Sequence, residues 1–266
     1  EMLSYPFLVR ALAGGVLVSL CAALLGVSLV LKRYSMIGDG LSHVSFGTLS
    51  VAVAFGWSPL QVSIPVVVIA AFFLLRITEN GKLNSDAAIA VISASALAFG
   101  ITVTSLTTGM TTDVSSYMFG SILAMSREDV ILAGVLSVIV LFLFIFFYHK
   151  VFAVTFDENF ARATGVKVSW YHILFAVLTA VTIVLGMRMM GAMLISSLII
   201  FPALTAMRLF KSFRGVMIAS GVVSAVCFLA GMVISYQVST PAGASVVLVN
   251  LAVFLLCAAV QKVRGR

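Results

Sequence analysis

The sequence predicts an all-α, polytopic integral membrane protein with about eight or nine transmembrane helices. Two observations carry this. Hydrophobic residues make up 62% of the 266 and charged ones only 9%. Apolar runs of roughly 18 to 25 residues, the length a helix needs to cross a bilayer, recur from end to end. So little polar sequence remains between them that residues 1–266 read as a single transmembrane domain.

The runs place spans at 7–31, 36–56, 59–77, 87–108, 129–149, 169–187, 190–208, 215–236 and 244–261. The first stops at Lys32-Arg33, the third at Arg76 and Lys82, and the fourth runs out before Asp113. Residues 114–125 are short and amphipathic and are expected to form a partial or interfacial helix. The fifth span ends at His149-Lys150 and opens the longest polar connection, 150–168, with Asp157, Glu158, Asn159, Arg162 and Lys167. The sixth to ninth spans are separated by Arg188, by the cluster Arg208, Lys211 and Arg214, and by Thr240-Pro241. With the first span running outside to inside, 13 of the 16 Lys and Arg fall on the cytoplasmic side. The positive-inside rule therefore predicts an external N-terminus and, with nine crossings, a cytoplasmic C-terminus. Merging two short spans would leave eight.

Composition also excludes. The net charge of +7 lies in short loops between apolar runs, so it reads as membrane orientation and not as nucleic-acid binding. Cys21, Cys227 and Cys257 fall inside spans without paired spacing and read as small buried residues. No signal-peptide cleavage pattern stands at the N-terminus. Gly81-Lys82 is followed by Leu83, so there is no Walker A motif, and neither a nucleophile elbow nor a His-Glu-x-x-His is present. The chain is expected not to hydrolyse ATP and not to be an enzyme.

Within this apolar background the most informative pair is Asp39 and His43. The i, i+4 spacing puts both side chains on one helical face. A carboxylate and an imidazole converging there make half of a divalent-metal site, and ionisable groups inside a span usually mark a substrate path. Counted from Arg33 along a helix, the pair falls near mid-bilayer depth. The structural alternative is a helix-capping Asp39 and a His43 bonded to a neighbouring carbonyl. Zinc prefers four ligands, so a second copy of the pair from a symmetry mate is expected to complete the set on a two-fold axis.

Other candidates have ordinary readings beside the functional ones. Asp113 is either a loop acid capping the next helix or a docking or metal-entry residue. Met187, Met189, Met190 and Met193 are packing residues or a soft-metal ladder. Pro202 kinks the seventh span, as a gate or as an ordinary membrane kink. His149 and His172 read as interfacial.

Four stretches together make the chain resemble, along nearly its whole length, the permease subunits of bacterial zinc/manganese/iron ABC importers. They are Arg33 to His43, Asp113 to Ala124 with Glu128-Asp129, Gly191 to Ala206, and Thr240 to Leu248. The resemblance implies a dimer or pseudodimer of permeases in the bacterial inner membrane. It also implies two copies of a cytoplasmic ATP-binding subunit and an extracytoplasmic metal-binding protein. It implies that Asp39 and His43 meet the transported ion, a cargo and not a resident cofactor. It makes 155–168 the segment coupled to the ATPase, through Asp157, Glu158, Ala161, Arg162 and Gly165. The fourth stretch is most similar to zinc-type relatives, with manganese or iron as the alternative cargo. One departure is Ser239, where relatives often carry an acid. A secondary metal transporter is the weaker reading, because no second intramembrane carboxylate pair is evident.

Overall fold

The computed structural model describes residues 6–79, 85–108 and 127–263, and nearly all of them are helical. In chain order the helices are α1 (Pro6–Leu31), α2 (Ile37–Ala54), α3 (Pro59–Glu79), α4 (Ser85–Thr108), α5 (Arg127–Phe146), α6 (Tyr148–Phe156), α7 (Glu158–Ala163), α8 (Val168–Met190), α9 (Ala192–Leu209), α10 (Phe213–Val238) and α11 (Ala242–Val263). Each of the nine expected spans falls on a helix. Seven of them (α1, α3, α4 and α8 to α11) are long and apolar enough to cross a membrane alone. The pair α5 and α6, bent by 68°, makes an eighth candidate. The helix α2, 18 residues long, stands outside that set because glycines, serines, Asp39 and His43 dilute its apolar content. It is enclosed by protein instead, packed on α3, α4, α8 and α9.

Two expectations need correcting. The fifth span does not run straight to 149: α5 stops at Phe146, and the chain turns at Phe147 into α6. No Gly or Pro marks the bend. The Phe147 ring wedges between Phe146, 4.9 Å away, and Tyr171, 5.8 Å away. The polar stretch 150–168 is not a plain connection either, since it holds most of α6 and all of α7. The expected partial helix 114–125 lies outside the described residues.

Small residues allow the close helix packing that lipid does not drive by itself. A Cβ at Gly26 of α1 would overlap the backbone carbonyl of Ile199 in α9. A Cβ at Gly47 of α2 would stand 2.9 Å from the Ala96 carbonyl oxygen of α4. Ser220 and Ser224 of α10 donate to the Ala23 and Ser19 carbonyls of α1 at 3.2 and 3.0 Å. The buried apolar side chains form one continuous cluster through the long helices, with a small satellite of Val154, Ala161 and Val168 around α7.

The α8–α9 turn matters most for the site. Gly191 makes it at φ 87°, a conformation that only glycine adopts cheaply. Met187, Met189 and Met190 before it are buried, so these three methionines are packing residues. Met189 reaches Gly14, eight residues into α1. The turn therefore lies about 12 Å along α1 from its start, inside the bundle.

Candidate functional site

The site grows out of two helix starts. A tight turn joins α1 to α2 through Arg33 N–H to Val30 O, Tyr34 N–H to Leu29 O and Ile37 N–H to Tyr34 O, at 3.0, 2.8 and 3.1 Å. Arg33 takes φ 61° within it, an uncommon conformation for a non-glycine residue. α2 then begins at Ile37, with Met36 as its N-cap and no side-chain capping bond. Asp39, in the first turn, does not cap. Its carboxylate turns to His43 in the next turn and to Ser196 of α9.

His43 Nε2 lies 3.6 Å from Asp39 Oδ2, and the Ser196 hydroxyl lies 3.4 Å from Asp39 Oδ1. Two ligands of one tetrahedral ion, each about 2.1 Å from it, stand about 3.4 Å apart, close to the separation seen here. The Asp39 side chain is 42% exposed and His43 16%, so the pair faces an opening and is not sealed in the core. Met36 and Met193 are exposed, one beside each helix start. Among the described residues no third His, Cys, Asp or Glu joins the pair.

Gly38 of α2 abuts Ile199 of α9, and Asp39 meets Ser196, so the first turn of α2 lies against the first turns of α9. The α8–α9 turn, where α9 begins, sits beside Gly14 and Gly15 of α1.

The predicted coupling residues gather at the other end of the α1–α2 turn. Asp157 caps α7, its carboxylate accepting from the Phe160 N–H at 2.9 Å. Ala161 is fully buried in the small apolar cluster, and Arg162 is exposed. Gly165 ends the segment at φ 82° with open space around its Cα, so conformation and not packing requires glycine there. Glu158 turns inward: Oε1 lies 2.8 Å from Lys32 Nζ and 3.1 Å from His172 Nε2, and Oε2 lies 3.9 Å from Arg162. Burial raises its carboxyl pKa, but the bond and charge of Lys32, with His172, outweigh that and hold it below the usual glutamate value.

Pro202 is buried within α9, six residues past Ser196. Ser239 takes φ 55° as the C-cap of α10. Asp113 lies outside the described residues. Sequence reasoning missed three residues. Ser196 carried no signal, since a serine in an apolar run is ordinary. His172 read as interfacial, yet its side chain is only 13% exposed and bonded to Glu158. Lys32 counted only toward orientation; its side chain is 14% exposed and ion-paired.

A bundle with seven or eight apolar helices long enough to cross a bilayer among its described residues is the architecture of a multi-pass membrane protein. The chain belongs to the ABC 3 transport family, whose description matches residues 4–261. It is 29% identical to the high-affinity zinc uptake system membrane protein ZnuB of Haemophilus influenzae, covering 95% of this chain and 97% of the relative. It is 28% identical to the manganese transport system membrane protein MntC of Halalkalibacterium halodurans, covering 96% and 88%. The fold is similar to a solved structure of PsaBC from Streptococcus pneumoniae in complex with Fab, at a TM-score of 0.86 and 29% identity, covering 96% of this chain and 92% of that one.

Proposed function

We propose that this chain is the membrane permease subunit of an ATP-driven importer of a divalent transition metal in a bacterial inner membrane, with zinc as the foremost cargo. The observation that carries the reading is the 3.6 Å approach of His43 to Asp39, the spacing that two ligands of one ion adopt. An oxygen and a nitrogen donor suit zinc, manganese and iron alike. Zinc is preferred because two copies of the pair give the two-nitrogen, two-oxygen tetrahedral set that zinc accepts. Manganese is the second reading, supported by the similarity to MntC.

Two copies of the permease then face each other, with the Asp39 and His43 side chains lining a shared path. ATP is hydrolysed by two cytoplasmic partner subunits that dock on residues 155–168. Exposed Phe156, Phe160 and Arg162 offer them an aromatic and cationic surface. An extracytoplasmic metal-binding protein delivers the ion, and Asp113 is a candidate contact for it. Pro202 weakens α9 near the site and would serve as a gate. In this role Asp39→Ala and His43→Ala each abolish ATP-driven metal uptake by reconstituted complexes while the ATP-binding subunit still co-purifies. Normal uptake by both variants would defeat the reading.

A further inference from the structure

Lys32, Glu158 and His172 come from three separate elements of the chain and meet in one half-buried cluster. Lys32 Nζ sits 2.8 Å from Glu158 Oε1 and 3.5 Å from His172 Nε2, and His172 is 3.1 Å from the same carboxylate oxygen. Each residue belongs to a different piece of machinery. Glu158 is the first residue of α7. His172 is in the second turn of α8. Lys32 opens the turn that leads into α2, seven residues before Asp39.

The connection from Lys32 to Asp39 is stiff. The Lys32 N–H donates to the Ser28 carbonyl at 3.0 Å, and the Arg33, Tyr34 and Ile37 N–H groups each donate within the turn. Gly40 N–H then donates to Met36 O at 3.1 Å, closing the first turn of α2 around Asp39. Arg33 holds φ 61° in the middle of this turn, a conformation that persists only where the surroundings fix it. These bonds join the Lys32 backbone to the first turn of α2.

The attachment of α7 is the complementary fact. The helix is six residues long and buries only Ala161, against Val154 and Val168. The Lys32–Glu158 ion pair ties it to the turn between α1 and α2. Removing one side of this half-buried ion pair leaves the other charge partly desolvated.

We propose that the Lys32–Glu158 ion pair, braced by His172, is the positioning link through which movement of α7 resets the Asp39/His43 pair. This rests on the reading of 155–168 as the ATPase-docking segment and adds the route from that segment to the ion. None of the three residues touches the metal. A push on α7 shifts Glu158, Glu158 drags Lys32, and the hydrogen-bonded turn tilts the start of α2 against Ser196 of α9. The opening between the two helix starts changes as a result.

The test is the ratio of metal imported to ATP hydrolysed, measured on the whole reconstituted complex with zinc as the probe. Lys32→Met lowers that ratio tenfold or more while zinc still binds to the detergent-solubilised complex. Lys32→Arg, which keeps a cation at the site, retains most of the coupling. Glu158→Gln also lowers the ratio, and the double variant is no worse than the poorer single one, because the pair acts as a unit. A simple structural role predicts the opposite pattern: fewer assembled complexes, each with a normal ratio. A normal ratio in Lys32→Met and Glu158→Gln overturns the link, as do additive losses in the double variant. If Lys32→Met does not accumulate, the comparison of Lys32→Arg with Glu158→Gln decides: equal ratios overturn the link. Wild-type complexes without ATP-driven uptake would instead defeat the functional reading itself, so the two failures are told apart.

Discussion

Ser196 of α9 donates a 3.4 Å hydrogen bond to Asp39 of α2, near the starts of both helices. The same hydroxyl lies 3.0 Å from the Ala192 carbonyl, so its single proton is shared between the two acceptors and its rotamer is held from its own helix. With one carboxylate oxygen steadied by Ser196, the other is aimed at His43. A long, shared bond of this kind is worth about 1 kcal/mol or less. Ser196→Ala is therefore expected to weaken apparent affinity in metal-uptake assays by no more than about fivefold, leaving the maximal rate near wild type. A total loss of uptake would mean that Ser196 does more than orient Asp39.

Close backbone approach at Gly26 gives a prediction about stability. Gly26→Ala drives a methyl group into the Ile199 carbonyl, and backbone cannot move aside as a side chain can. The expected cost is about 1–3 kcal/mol, read as a lower unfolding temperature of the purified protein. Gly134 in α5 has no neighbour within 4 Å of where a Cβ would stand. Gly134→Ala should be neutral, or stabilising by up to about 1 kcal/mol, through helix propensity. Equal effects of the two changes would contradict the α1–α9 packing.

The ion pair at Glu158 has a pH signature. Its carboxyl pKa is held below the ordinary value of 4.5. A depressed carboxyl pKa contributes stability above the ordinary value and loses it as pH falls through the folded-state value. The stability advantage of the wild type over Glu158→Gln should hold from about pH 7 to about pH 5 and shrink below about pH 4.5. Thermal melts in nanodiscs across that range check it; an advantage that persists unchanged at the acid end would remove the charge from the explanation.

The shared path predicts cross-linking. With the three native cysteines replaced, single cysteines at position 39 or 43 of facing copies should be bridged by a short bis-thiol reagent or by Hg²⁺. A complex shown to be dimeric that gives no cross-link at either position would point to separate paths.

Orientation is checked at Asn159, which is exposed on α7. A cysteine there should react with a membrane-impermeant maleimide only after cells are opened. Labelling in sealed cells would invert the topology and remove 155–168 from the cytoplasm.

The sequence by itself determined the helical class, the positions of the spans and the Asp39/His43 pair, because those rest on local quantities. A bilayer sets the length of an apolar run, and an i, i+4 spacing fixes which two side chains share a face. The α2 case shows how far that reaches. Its ligand-type residues were legible, but not its enclosure by α3, α4, α8 and α9, nor its start against α9. The bend at Phe147 carried no Gly or Pro to announce it. The partners Ser196, Lys32 and His172 stand 157 residues from Asp39, and 126 and 14 residues from Glu158. Only the packed bundle decides such contacts. Nothing local distinguishes a serine that meets a carboxylate across two helices from one that bonds its own turn, or a lysine in a loop from one folded back on an acid.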